Sequence, residues 1–104
     1  MLSTTSLFNR DYAKGVEYAL LGITDAPHLP SLRVYLALNL VGLGDIENAK
    51  EAFDVVRRLA PAWADGRGIG RGIVLGTPEH HRRVSTFRLI AAGLEDPSAA
   101  DALR

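Results

Sequence analysis

The chain has 104 residues, of which 47% are hydrophobic and 23% charged, and its twelve basic residues balance its twelve acidic ones. This length fits one domain with a modest core, and the neutral net charge argues against a dedicated nucleic-acid binder. The absence of cysteine excludes a disulfide framework, a zinc finger and a thiol nucleophile. No apolar run approaches the roughly 20 residues of a membrane span, and the N-terminal residues lack the features of a signal peptide. We therefore expect a cytoplasmic domain.

Apolar residues at helical spacing predict two helices in the first half of the chain. The first covers residues 11–24, and the prolines Pro27 and Pro30 then force a break. The second covers residues 31–43 and is apolar around nearly its whole circumference, so other elements must cover it on most sides. A strand is the alternative for so apolar a run, but its length and the proline at its start favour a helix.

A third predicted helix runs from Asp45 to Pro61. Its apolar residues form one stripe with spacings of three and four: Ile46, Ala49, Ala52, Phe53, Val56, Leu59 and Ala60. Asp45 suits the N-cap, and Pro61 cannot continue the hydrogen-bond ladder. Asp54 and Arg58 have the favourable order for a helical ion pair. The turn between Gly42 and Gly44 is so short that this helix must lie antiparallel to the preceding one.

The last part of the sequence changes in character. Glycine occupies every second position from Gly66 to Gly72, and interior glycines argue against a helix there. A helix is predicted from Thr77 to Ala92, with a threonine N-cap and a proline and an acid in its first turn. Gly93 followed by Leu94 is typical of a glycine C-cap with its apolar contact. Residues 98–104 are expected to form at most one or two frayed turns.

Several residues between Leu32 and Pro61 have the spacing of a known helical repeat. They are Leu36-Ala37, Leu40, the turn Gly44-Asp45, the small and aromatic residues Ala49 and Phe53, and the terminal Pro61. In these positions the segment resembles a tetratricopeptide repeat, although the family's usual tryptophan is replaced by Arg33. Residues 11–27 resemble the second helix of a preceding repeat. The resemblance implies close helix packing, in which small residues let neighbouring helices approach.

A second resemblance covers most of the chain and rests on the order of five stretches. They are Asn9-Arg10-Asp11-Tyr12-Ala13, Gly42-Leu43-Gly44-Asp45, Ala60-Pro61-Ala62-Trp63, Thr77-Pro78-Glu79-His80 and Ala91-Ala92-Gly93-Leu94. Their order is similar to that in the C-terminal tail of bacterial adenylate/guanylate cyclases that carry tetratricopeptide repeats. Similar tails occur on tetratricopeptide proteins with other N-terminal domains, including transcription regulators. The resemblance implies a regulatory fragment of a cyclase-like signalling protein, and a helix from Trp63 to Arg71 despite its glycines. The alternative is a free-standing adaptor that binds a peptide or a partner helix.

No group of residues makes a convincing catalytic or cofactor site. The run from Asp65 to Gly72 has no preceding strand and no following Gly-Lys-Ser/Thr, so it lacks the features of a phosphate loop. His80 and His81 point in different directions on a helix and cannot chelate a metal from one face. The same helix carries a basic patch: His80, His81, Arg82, Arg83 and Arg88. Because no aromatic residues are interleaved with it, we expect a solvated helix face rather than a nucleic-acid site. We predict no enzyme activity.

The sequence thus predicts an all-α fold, an antiparallel array of about five helices built on tetratricopeptide-like units. Residues 1–27 are expected to form a partial repeat, 28–61 a repeat, 62–95 a C-terminal capping segment and 96–104 a tail.

The predicted partner site is the concave surface that the first helix of each repeat lines in tetratricopeptide arrays. Here that surface would consist of Ser31, Val34, Leu38 and Val41. We expect a protein or peptide partner in this apolar groove, and no nucleic acid, membrane, metal or cofactor. Further exposed apolar surface is expected around Leu20 and Leu36. We predict a homodimer through the helix of residues 31–43, because two copies meeting about a two-fold axis would bury the same apolar patch on both subunits. In the competing outcome, residues 63–94 fold back into the groove and the chain stays monomeric.

Overall fold

The computed structural model describes residue 7, residues 9–61 and residues 78–104. These ranges contain four α-helices and one short 3-10 helix, with no strand. The helices are α1 (Tyr12–Asp25), α2 (Pro30–Leu43), α3 (Ile46–Leu59) and α4 (Pro78–Ala91), and the 3-10 helix covers Pro97–Ala100. The predicted all-α class is confirmed, and each helix boundary lies within two residues of its predicted position. The glycine-rich run and the helix expected from Trp63 to Arg71 lie outside the described residues.

Proline and glycine set the ends of the helices as the sequence indicates. Pro30 is the first residue of α2, where its missing N–H has no helical partner to lose. Gly44 ends α2 in the left-handed conformation with φ of 87°, and the Asp45 N–H then donates to the Leu40 carbonyl at 2.9 Å. Gly93, with φ of 80°, ends α4 in the same way. Leu94, which was predicted to make an apolar contact at that cap, is 64% exposed.

The first three helices form an antiparallel layer, called here the three-helix layer, with α2 in the middle. Two glycines permit the close approach of α1 to α2. A Cβ atom at Gly15 would overlap the side chain of Asn39, and one at Gly42 would overlap the ring of Tyr12. These pairs align the start of α1 with the end of α2 and fix the antiparallel arrangement.

The fourth helix packs against α2 and α3 and completes the hydrophobic core. The predicted stripe of α3 lies in that core, and Phe53 is 1% exposed. The ring of Phe87 on α4 meets that of Tyr12 on α1 edge-on, with centroids 5.9 Å apart. Arg57 of α3 donates a hydrogen bond to the carbonyl of Ala92, just after α4. The fourth helix is thus tied to both outer helices of the layer.

Of two local predictions on α3, the ion pair is wrong and the N-cap position is confirmed. Asp54 pairs with Arg57 at 2.7 Å rather than with Arg58, and the Arg57 guanidinium also lies 5.1 Å from the centroid of the Phe53 ring. Asp45 occupies the N-cap position, but its carboxylate accepts from the side chain of Asn48 at 2.7 Å and not from a backbone N–H.

The C-terminal tail is docked rather than frayed, contrary to prediction. Ala100 is completely buried, and the Arg104 guanidinium donates to the carbonyls of Gly42 at 3.0 Å and Val41 at 3.1 Å. The carboxylate of Asp96 accepts from the N–H of Ser98 at 2.8 Å and begins the 3-10 helix. The backbone and side-chain hydrogen bonds from Ser98 hold the pKa of Asp96 below its usual value. By its bonds to Gly42 and Val41, the guanidinium of Arg104 caps carbonyl groups at the end of α2.

Candidate functional site

The residues predicted to line a partner groove are largely inaccessible. Val34, Leu38 and Val41 are 3%, 1% and 0% exposed, and only Ser31 is half-buried. The prediction of an open groove on this stripe of α2 is therefore wrong. These side chains are buried because α2 packs against α4 as well as against α1 and α3. In the described part of residues 63–94, α4 packs on α2, as the competing prediction expected. The surface suggested for a homodimer is thus covered by the chain itself.

An open groove instead lies on the other side of the three-helix layer, between α1 and α3 and with α2 as its floor. It has a volume of about 440 Å³ and is lined by Val16, Leu20, Arg33, Leu36, Leu40, Asn48, Glu51, Ala52 and Val55. We call this cavity the α1–α3 groove. Most of these side chains are apolar, and the polar ones are Arg33, Asn48 and Glu51. Its residues occupy a different stripe of α2 from the buried one, because Arg33, Leu36 and Leu40 recur at helical spacing on their own face.

Three polar side chains line the α1–α3 groove. Asn48 lies near the turn at Gly44, Glu51 lies one helical turn further along α3 and about midway along the groove, and Arg33 lies near the start of α2. The Arg33 guanidinium donates to the Pro27 carbonyl at 3.3 Å.

One wall of the groove has an exposed leucine with a matched neighbour outside it. Leu20 is 50% exposed and lines the groove, whereas the adjacent Leu21 is 59% exposed and does not line it. The prediction of exposed apolar surface at Leu20 is confirmed. Leu36, also expected there, is only 9% exposed because it forms part of the groove floor.

A cluster of polar side chains lies in the core, and it includes residues that were predicted to form a solvated helix face. Arg83 and His80 of α4 are 1% and 3% exposed, so the predicted basic patch is wrong at both residues. The Arg83 guanidinium lies 2.8 Å from Nδ1 of His80 and donates to the Tyr12 hydroxyl at 3.0 Å. It also lies 5.9 Å from the centroid of the Tyr12 ring. Arg82 is exposed as predicted, Arg88 is half-buried, and the side chain of His81 lies outside the described part.

The chemistry of this cluster follows from its donors. A guanidinium has no acceptor atom, so Nδ1 of His80 must accept the hydrogen bond from Arg83. The sequence held a signal for this burial, since His80 and Arg83 continue the apolar stripe of Val84, Phe87 and Ile90 toward the helix start. The prediction of a solvated face followed the charge of these side chains rather than their position in the apolar stripe.

Neither a metal-binding cluster nor a membrane-spanning helix occurs in the described part of the chain. Within the described ranges, no group of three or more histidine, aspartate or glutamate side chains is placed to hold a metal ion, and no helix is long and apolar enough to cross a membrane. No family model, curated protein or solved structure matches this chain.

Proposed function

We propose that this chain is a non-catalytic protein-interaction module that binds a segment of a partner protein in the α1–α3 groove. The observation that carries the proposal is the groove itself: an open cavity of about 440 Å³ with a mainly apolar lining and three polar side chains. Sites that bind organic ligands have roughly 300–1,000 Å³ and the same combination of apolar lining and a few polar groups.

The rigidity of the groove walls supports this function. The closeness of α1 to α2 depends on Gly15 and Gly42, whose Cβ-free backbones lie against Asn39 and Tyr12. Helices in such close contact cannot shift without losing packing. A preformed groove binds its partner at lower entropic cost than one that must be ordered first.

The architecture is also compatible with a tetratricopeptide-like array, which we include in the proposal. In that arrangement α1 is the second helix of one repeat, and α2 and α3 form the next repeat. The helix α4 then covers the concave surface, and the groove lies on the opposite side. From the similarity to cyclase tails, we propose a cytoplasmic regulatory module at the C-terminus of a longer cyclic-nucleotide signalling protein, with a free-standing adaptor or a regulator tail as alternatives. A cyclase domain upstream in the same reading frame would favour the first, and its absence the adaptor.

Selection from a displayed library of random peptides tests the binding function. Leu20→Glu adds a carboxylate to the groove wall, and Leu21→Glu adds the same charge just outside it. Both positions are half exposed or more, so each change should alter stability by less than about 0.5 kcal/mol. We expect selected peptides to lose at least tenfold in affinity for Leu20→Glu and to bind Leu21→Glu like the wild type. Failure to select any peptide, or equal binding to all three proteins, contradicts the proposal.

A further inference from the structure

We draw no further inference here: the strongest candidate, the α1–α3 groove on the open side of the three-helix layer, belongs to the site already described, and nothing in the described part of the structure shows what covers its apolar lining.

Discussion

The two sides of the three-helix layer are both apolar in sequence, but one is buried and the other is open. On one side, Val34, Leu38 and Val41 are buried in a core that α4 completes. On the other side, Leu20 stays half exposed beside a groove that none of the four helices fills. The comparison shows that apolar character marks a surface as needing cover, while the topology decides which side the chain itself covers. The uncovered side is then the one available to a partner.

The elements that close the covered side place several polar side chains among their buried apolar ones. Arg83 and His80 enter the core beside Tyr12, Arg57 bonds the end of α4, and Arg104 bonds the end of α2. Arginine can do this because its long stem packs among apolar groups while its planar head donates several hydrogen bonds. The covered side thus combines apolar burial with directional bonds that fix the position of α4.

The largest expected effect is that of a charge on the covered side. Leu38→Glu places a carboxylate at a position that is 1% exposed, and an unpaired buried charge costs several kcal/mol. We expect urea melting to show an unfolded or nearly unfolded chain, whereas Leu20→Glu melts like the wild type. Equal, small effects of the two changes would mean that the covered side is open to solvent.

A core cavity should have a slightly smaller effect. Phe53→Ala removes a buried ring from α3, and such cavities cost about 3–5 kcal/mol, which is a large part of the stability of a small domain. The control Arg82→Ala, at an exposed position of α4, should change the free energy of unfolding by less than about 0.5 kcal/mol. A loss below about 1 kcal/mol for Phe53→Ala would show that the α3 register is wrong.

The buried arginine gives an intermediate effect. Arg83→Met keeps most of the side-chain volume but leaves the Tyr12 hydroxyl and the His80 nitrogen without the donor seen here. We expect a loss of about 1–3 kcal/mol in urea melts, because buried polar groups lose their hydrogen bonds. Arg82→Met, one residue away and exposed, is the matched control and should melt like the wild type. If the two variants are equally stable, Arg83 does not hold α4 in place.

The smallest effect concerns the tail beside the covered side. Asp96→Ala removes the acceptor for the Ser98 N–H and should cause a small loss of stability and faster amide exchange at that residue. Since the pKa of Asp96 is lowered in the folded chain, this contribution is fully present above its usual pKa of about 4. It is lost as the pH falls through the lowered value. A difference between variant and wild type that persists with Asp96 protonated would contradict the assignment.

The extent to which sequence predicts this molecule depends on how local the cause is. The stripe of α3, the prolines at Pro30 and Pro61 and the left-handed Gly44 act within one turn, and the helix boundaries they predict are confirmed within two residues. The burial of Arg83 depends on the Tyr12 hydroxyl, 71 residues earlier in the chain. No local pattern specifies that pairing, although the helical phase of His80 and Arg83 was compatible with it.

The candidate site was predicted only in part for the same reason. Exposed apolar surface at Leu20 was expected and is present. The stripe chosen for the groove was the wrong one, because the sequence of α2 is apolar on nearly every face and cannot by itself show which face α4 covers. The α1–α3 groove arises from the packing of three helices, and only that packing brings the lining residues Arg33 and Glu51 to the same cavity.

Thiol labelling compares the two sides of the layer most directly. The chain has no cysteine, so Val34→Cys and Leu20→Cys each carry a single thiol, one on the covered side and one in the groove wall. After circular dichroism has verified that both variants are folded, each is treated with a maleimide under native conditions. The account predicts that Leu20→Cys reacts at nearly the rate of a free thiol and that Val34→Cys reacts at least about 100-fold more slowly, because its labelling must wait for the structure to open. Equal, rapid labelling of the two folded variants would contradict the claim that α4 covers one side of the layer and leaves the other side open.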